Sequence, residues 1–171
     1  MLIPMRHAAQ ATDASPLYSL TERVVASALE QAGCSGRHEV SWVHTNPGLP
    51  GFVAASRAAQ VSGLAYHDCD LYICLHPSFG PWFAMRAVVS FDADFEGASP
   101  QLLLADPIPP PARAQLLATV KALLAPGGAP NGWLDWVEFR DAIGAALGAQ
   151  GHRYPEAMLR YHYTSDVGCL T

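Results

Sequence analysis

The segment from His76 to Phe83 carries the side chains best suited to hold a ligand. It places an imidazole, His76, ahead of two phenylalanines and a tryptophan, and Pro77 and Pro81 stiffen the connection. Binding residues concentrate on loops that a rigid scaffold positions. The segment predicts an aromatic site for a large, partly apolar ligand, with the imidazole at its rim. The alternative is that His76 packs on Trp82.

Arg140 is the second candidate for ligand binding. Trp133, Trp136 and Arg140 follow at positions i, i+3 and i+7, so a guanidinium shares one helix face with two indoles. Its planar set of donors suits an amide or a carboxylate on a cofactor. The alternative is that Arg140 stacks on Trp136 or pairs with Glu138 or Asp141.

Several common chemistries lack their motifs in this sequence. The seven histidines form neither a His-Glu-x-x-His pattern nor a Cys/His cluster at zinc spacing, so no metal site is expected. There is no Gly-x-Ser-x-Gly nucleophile motif, and the Gly127-Gly128 stretch lacks the lysine of a phosphate loop. The cysteines form no Cys-x-x-Cys pair and are expected to be free thiols: Cys34, Cys69, Cys74 and Cys169.

Helix and strand patterns predict how these residues are positioned. Apolar residues recur at helical spacing over 17–32, after Ser15-Pro16 and before Gly33. Two strand-like segments, 70–75 and 84–91, flank the aromatic segment and predict a hairpin with that segment as its connection. The other predicted elements are a strand over 39–45, a small-residue helix over 52–63, helices over 112–124 and from a capping Asn131, and a short helix over 154–163.

Length and composition predict one globular domain over residues 1–171, with residues 1–12 as a poorly ordered start. The chain has 171 residues, of which 50% are hydrophobic and only 15% are charged. Ordinary domains carry about 25% charged residues. The deficit suggests a ligand cavity, a dimer interface or both.

Charge and hydropathy exclude two kinds of partner. The formal net charge is −5, which argues against nucleic acid. No apolar run approaches the roughly 18 residues of a membrane span. Met1–Pro16 has no continuous apolar stretch of a secretory signal, so we expect a cytoplasmic protein.

Three segments resemble the cobalamin C (MMACHC-type) family of cobalamin-processing proteins. Leu75–Arg86 matches its His-Pro-x-Phe-Gly-x-Trp-Phe-Ala-x-Arg signature, which is a specific string. Ala55–Tyr66 and Asp135–Ala142 are similar to two further stretches of the family, in the same order. The resemblance covers about 13–164, as in a shortened member of the family.

The resemblance implies a fold and an activity. The fold would be α+β and similar to flavin reductases and nitroreductases, with an antiparallel sheet flanked by helices. The family binds cobalamin base-off and removes its upper axial ligand, by decyanation with reduced flavin (FMN or FAD) or by dealkylation with glutathione. The sequence contains no Asp-x-His-x-x-Gly motif that would supply a cobalt-ligating histidine. A cobalt without a lower ligand is easier to reduce.

The resemblance also implies roles for single residues. His76 would lie at the corrin edge and Arg140 would contact cobalamin and the thiol, which makes these two the catalytic candidates. Arg86 would contact the cofactor or, alternatively, pair with Asp68 or Asp70 across the predicted hairpin. The loop residues Phe79, Gly80, Trp82 and Phe83 would form one wall of the cofactor site. The strand 71–75, with Cys74 and Leu75, would line the pocket for the dimethylbenzimidazole tail of cobalamin. Tyr66 is the last implied contact.

The chain departs from the family at three places. It has no counterpart of the N-terminal segment that precedes the matching region in animal members, so a homodimer is expected to complete the cavity. Near Pro50, where the family often has a basic residue, only Arg57 is available for a flavin phosphate. Arg153 and Arg160 would substitute for the family's additional glutathione-binding arginines.

Two alternatives to the cobalamin enzyme remain open at this stage. One is a cobalamin-binding chaperone without catalysis, and the other is a plain flavin-dependent reductase on the same scaffold. The scaffold alone does not distinguish them.

Overall fold

The computed structural model describes residues 16–34, 38–45, 47–92 and 104–170, which form a mixed α+β structure as predicted. The predicted poorly ordered start, 1–12, lies outside these residues. The described residues divide into two compact units: those up to residue 58 together with 85–92, and 59–84 together with 104–170. Whether the two units fold as one cooperative domain stays a prediction. The elements are α1 (Pro16–Gln31), β1 (His38–Trp42), α2 (Ala55–Val61), β2 (Tyr66–Asp68), β3 (Ile73–Leu75), β4 (Ala87–Phe91), α3 (Pro110–Leu124), α4 (Trp133–Ala146), α5 (Glu156–Thr164) and 3-10 turns at Gln150–His152 and Val167–Leu170.

The first unit contains α1 and a two-stranded antiparallel sheet. Helix α1 begins at a proline, as predicted, because a first-turn N–H has no partner within a helix. It ends where Gly33, at φ +68°, lets the N–H groups of Gly33 and Cys34 bond back to Glu30 and Leu29. Strand β1 pairs with β4 in a register that places Val40 opposite Val89. Helix α1, at Pro16–Gln31, confirms the predicted helix over 17–32.

The predicted hairpin of 70–75 with 84–91 is wrong. Strand β3 pairs instead with β2, which the sequence analysis missed, and β4 pairs with β1. The aromatic segment prevents the predicted pairing because it closes on itself: His76 and Gly80 exchange both backbone hydrogen bonds, at 2.9 and 2.8 Å. Pro81, the next residue, has no N–H to donate to a ladder.

The turn between β2 and β3 is built around Asp68. Its Oδ1 accepts hydrogen bonds from the N–H groups of Asp70 and Leu71, at 3.0 and 2.9 Å. Aspartate favours such local turns because its short side chain reaches the backbone two residues ahead. This turn returns the chain after three residues of β2 and creates the hairpin on which the site is built.

The hydrophobic core of the second unit lies where the β2–β3 hairpin packs with α3 and α4. Helix α3 begins two residues before the predicted start at 112, with Pro110 and Pro111 in its first turn. Helix α4 has Gly132 as its N-cap, and Asn131, the predicted cap, donates instead to the Asp135 carboxylate at 2.8 and 2.9 Å. The buried core residues are Leu71, Leu75, Ile108, Leu116, Val120, Phe139 and Ile143.

Arg113 on α3 ties the hairpin to the helices. Its guanidinium lies 2.6 Å from the Asp68 carboxylate, 2.7 Å from Asp106 and 3.4 Å from Asp70. Asp68 is only 1% exposed. The expected pairing of Arg86 with Asp68 or Asp70 is therefore wrong: it depended on the predicted hairpin, and Arg113 holds both carboxylates.

Candidate functional site

The segment His76–Phe83 is a tight loop at the end of β3. The paired backbone bonds between His76 and Gly80 close it, so Pro77, Ser78 and Phe79 form an exposed tip. The Phe79 side chain is 42% exposed. Because binding residues concentrate on loops that a scaffold positions, this exposed ring is a candidate contact for a ligand.

The His76 ring is fixed by its own loop. Its Nδ1 accepts hydrogen bonds from the N–H groups of Ser78 and Phe79, at 3.0 and 3.3 Å. Because Nδ1 accepts, the proton of the neutral ring lies on Nε2. The ring stacks on Phe79 at 4.7 Å and tilts against Phe83 at 5.5 Å, so these rings, and not the alternative Trp82, pack on it. His76 therefore offers a ligand one N–H donor.

Gly80 serves packing inside the protein. At φ +55° it adopts a conformation that other residues rarely take, and an added Cβ would lie 2.7 Å from the Cβ of Ala149. Gly80 therefore allows a close approach to the chain segment after α4, and its contact with a ligand stays a prediction. The sequence carried no signal for this partner because the two residues are far apart along the chain.

We expect Gly80→Ala to destabilise the protein by about 1–3 kcal/mol, since it combines a left-handed backbone with an overpacked contact. Urea unfolding of the variant would measure this loss. Gly127→Ala is a matched control, because Gly127 also has a positive φ, +72°, but open space around its Cα. A loss no larger than that of the control would show that the Ala149 contact is unimportant.

Arg140 is buried and bonded to the loop backbone. Its Nε and Nη2 donate to the carbonyl of Pro81 at 2.9 and 2.5 Å. Arg140 is only 9% exposed. The guanidinium carbon lies 4.7 Å from the Trp82 ring centroid and 5.5 Å from that of Tyr154. The expected alternatives for Arg140, stacking on Trp136 or pairing with its helix neighbours, are therefore replaced by contacts with the loop.

Trp82 packs against α4 at Gly144. It is 3% exposed, and its Nε1 has no hydrogen-bond partner among the described residues. A Cβ at Gly144 would come within 2.8 Å of that Nε1, so a glycine in the helix interior makes room for the indole. Tyr154 packs edge-on against the same ring at 5.9 Å. Neither Gly144 nor Tyr154 was predicted from the sequence to belong to the site, although a glycine inside a helical pattern is a known sign of close packing.

The strand contacts implied by the resemblance lie deeper than expected. Leu71 and Leu75 are fully buried in the core, and Cys74 is also buried. Arg86 belongs to the first unit, where its carbonyl accepts a bond from the N–H of Val43 at 3.1 Å. The structure thus brings together His76, Phe79, Gly80, Trp82, Phe83 and Arg140, with Tyr66 on the neighbouring strand.

The phenol of Tyr66 has a raised pKa. Burial, followed by the nearby carboxylates of Asp106 and Asp68, raises the pKa of Tyr66, while Arg113 acts in the opposite direction. Each of the first three effects disfavours the phenolate. Tyr66 therefore acts as a neutral hydroxyl and not as a base.

We expect this raised pKa to make stability fall at high pH. The unfolded phenol loses its proton near its ordinary value of about 10, whereas the folded phenol holds it longer, so the stabilisation is present below about pH 10 and is lost as pH rises through the folded pKa. Urea unfolding from about pH 8 to 11 would show a smaller loss in Tyr66→Phe than in the wild type. Tyr72→Phe, at an exposed tyrosine, is the control. Parallel losses in wild type and Tyr66→Phe would contradict the assignment.

A small pocket opens beside the loop, at the end of α4. Its volume is about 230 Å³. Pockets for drug-sized ligands have roughly 300–1,000 Å³, so it can enclose only part of a large cofactor. The residues that line it are His76, Pro77, Gly80, Pro107, Ala146, Leu147 and Ala149.

No family model matches the chain, and no curated protein is detectably similar to it. Within the described residues, no group of three or more histidine, cysteine or acidic side chains is placed to hold a metal ion. No helix among them is long and apolar enough to cross a membrane.

Proposed function

We propose that this chain binds cobalamin base-off and reductively removes its upper axial ligand. The observation that carries the proposal is the loop His76–Phe83, whose residues match the cobalamin C signature. The loop holds an exposed Phe79 ring and a His76 N–H donor on a closed backbone. An amide-fringed macrocycle needs an apolar surface for its ring and donors for its amide oxygens, and this loop offers both.

The orientation of His76 supports a cobalt without a ligand from this residue. Its Nδ1 already accepts two backbone N–H groups, so its Nε2 carries a proton and has no lone pair for a metal. A base-off cobalt that receives no replacement for its lower ligand is five- or four-coordinate and accepts an electron more readily.

The proposed reaction transfers one electron to cyanocobalamin. Cobalt goes from Co(III) to Co(II), the cobalt–carbon bond breaks, and its electron pair leaves with cyanide. A reduced flavin is the proposed donor, as a co-substrate. In the thiol-dependent variant, a glutathione thiolate takes the methyl group of methylcobalamin and leaves cob(I)alamin with the bond pair.

The described residues fit a resident flavin poorly. The pocket beside His76 has no lysine or arginine in its lining that would hold a flavin phosphate. Arg57, the residue expected near a flavin phosphate, is an exposed side chain on α2, in the first unit. The proposal therefore places no catalytic step on a flavin that the protein retains.

The proposal includes three further properties of the protein. It has a flavin-reductase-like fold, it forms a homodimer, and it is located in the cytoplasm. Exposed apolar side chains on α1, including Leu20 and Val24, support association with a second copy. Sedimentation equilibrium tests the dimer: a single monomeric species at all concentrations would contradict it.

A visible absorption titration tests the function. Purified protein is mixed with cyanocobalamin or methylcobalamin, before and after addition of reduced flavin. A shift to the base-off spectrum on mixing, followed by the cob(II)alamin spectrum from cyanocobalamin, is the expected result. The absence of any shift on mixing would overturn the proposal.

A non-catalytic cobalamin chaperone is the second candidate. The pocket beside His76 favours it, because no lysine or arginine lines this pocket to hold the phosphate of a flavin electron donor. In the same titration it predicts the base-off shift with cyanide retained after flavin addition. A plain flavin-dependent reductase predicts flavin oxidation without a corrinoid spectral change.

A further inference from the structure

The tip of the closed aromatic loop depends on one titratable side chain. The tip comprises residues 77–79, and the N–H groups of Ser78 and Phe79 donate to Nδ1 of His76, at 3.0 and 3.3 Å. The base of the loop is closed by backbone groups alone, because His76 and Gly80 exchange two hydrogen bonds at 2.9 and 2.8 Å. A change in the charge of the His76 ring therefore acts on the bonds of the tip and not on those of the base.

A protonated imidazole cannot make the two bonds of the tip. In the neutral ring Nε2 carries the proton and Nδ1 offers its lone pair, so a second proton has to enter at Nδ1. The new Nδ1–H would then face the N–H groups of Ser78 and Phe79, and donors would meet donors. Two hydrogen bonds are lost without replacement. The closed tip and a protonated His76 are therefore mutually exclusive.

The aromatic contacts of His76 oppose this effect, but they are weaker. The imidazole stacks on Phe79 at 4.7 Å and tilts against Phe83 at 5.5 Å. An aromatic ring attracts a cation, so these contacts favour the protonated ring. Phe79 is exposed, and at an exposed ring the attraction is smaller than the loss of two hydrogen bonds to the backbone. The balance favours release of the tip on protonation.

The positive groups that face the loop act against a second cation there. The Arg140 guanidinium donates to the carbonyl of Pro81, so the loop already has a positive charge at its end. His152 contacts the Phe79 ring edge-on at 5.1 Å and adds a further positive charge when it is protonated. Neither group stabilises an imidazolium at His76.

The negative groups near the loop do not compensate for the lost bonds. Asp106, which precedes the pocket-lining Pro107, is bound to Arg113 at 2.7 Å. The C-terminal end of α4 lines the same pocket through Ala146, and its partial negative charge attracts an imidazolium without restoring the bonds at Nδ1. Among the described residues, no carboxylate forms an ion pair with His76.

We propose that His76 is a pH-sensitive switch of the loop tip. The neutral ring holds residues 77–79 closed, and protonation releases them while the His76–Gly80 base stays closed. The closed tip binds fewer protons than the released tip, so it is the favoured state at higher pH and is lost as pH falls through the range of about 5 to 8 in which an imidazole changes charge. The inference concerns the ligand-free protein. Only its consequence for cobalamin, weaker binding through Phe79 at acidic pH, rests on the proposed function.

Amide proton exchange in the ligand-free full chain measures the release. The exchange rates of Ser78 and Phe79 are followed by two-dimensional NMR from about pH 8 to about pH 5, and each is compared with the rate of an unstructured chain at the same pH. We expect the protection of these two amides to fall by about tenfold, as for the loss of two backbone hydrogen bonds. The amides of His76 and Gly80 are the internal control and should keep their protection, because their bonds close the base.

Three variants identify the group that titrates. The asparagine of His76→Asn can accept hydrogen bonds from backbone N–H groups ahead of it but does not titrate, so the tip should stay protected at both ends of the pH range. His76→Phe has no acceptor and should lack this protection at both ends. His152→Asn removes the other imidazole that contacts Phe79 and should keep the pH dependence of the wild type.

Three outcomes would overturn the proposal. The first is equal protection of the tip amides at both ends of the pH range, and the second is the wild-type loss in His76→Asn. The third is an equal loss at the base amides, which would indicate unfolding of the whole loop. The wild-type comparison of tip and base stands even where a variant fails to fold, which circular dichroism would reveal. Failure to bind cobalamin would overturn the proposed function alone, because these measurements contain no corrinoid.

Discussion

Arg113→Met is expected to lower the free energy of unfolding by about 3–5 kcal/mol. The substitution leaves the Asp68 carboxylate inside the protein without its cation, and breaking a buried ion pair from one side costs about this much. Asp68 is 1% exposed and lies 2.6 Å from the Arg113 guanidinium. The two hydrogen bonds that Asp68 accepts from backbone N–H groups cannot replace the positive charge of Arg113.

The expected losses are unequal for the two partners. Asp68→Asn removes the buried charge itself and leaves Arg113 with Asp106 at 2.7 Å, so its cost should be smaller. The double variant should therefore be more stable than Arg113→Met alone. Urea unfolding of the three variants measures these differences.

Arg153→Met is a matched control for the ion pair. Arg153 pairs with Asp141 at 2.8 Å, but both side chains are more than a third exposed. Water screens such a pair, and its loss should cost about 0–1 kcal/mol. Equal losses for Arg113→Met and Arg153→Met would contradict the buried role of the first pair.

Arg140→Ala is expected to destabilise the protein by about 2–5 kcal/mol and to loosen the aromatic loop before any ligand is added. The change leaves the buried Pro81 carbonyl without its donors and removes the cation from the Trp82 ring. An unsatisfied buried acceptor costs about 1–3 kcal/mol, and a desolvated cation–π contact about 1–2 kcal/mol. Urea unfolding and near-ultraviolet circular dichroism of the tryptophans measure the two effects.

Arg140→Lys separates positioning from simple charge. Lysine keeps the positive charge, but its ammonium lacks the planar fork that lets Nε and Nη2 share one carbonyl. We therefore expect Arg140→Lys to alter the tryptophan signal of the ligand-free protein and to weaken corrinoid binding. A residue that only contacts the ligand would leave that ligand-free signal unchanged. For Arg140→Ala, the exposed Arg23→Ala variant on α1 controls for the loss of one positive charge.

The sequence alone determined the local elements and the identity of the loop. Prolines at the starts of α1 and α3 and Gly33 after α1 act on neighbouring backbone groups, so their effect is visible in a short window. The run from His76 to Phe83 was recognisable because ring types and prolines mark a stiff, aromatic connection.

Strand pairing was the part of the fold that sequence patterns misjudged. Segments 70–75 and 84–91 both have strand-like composition, but composition does not say which segments pair. The outcome depended on the backbone bonds between His76 and Gly80 and on the turn at Asp68, which made a partner of the short strand β2. Three residues of strand give too short a pattern to detect.

The roles of the site residues were decided by tertiary structure alone. The sequence singled out Arg140 for its type and its helix face, yet its partner is a carbonyl 59 positions away in the chain. Gly80 was singled out as part of the loop wall, but its packing against Ala149 was not visible in the sequence. Residue types predict what a side chain can do, whereas the partner that it meets depends on distant segments that only the folded chain brings within hydrogen-bonding distance.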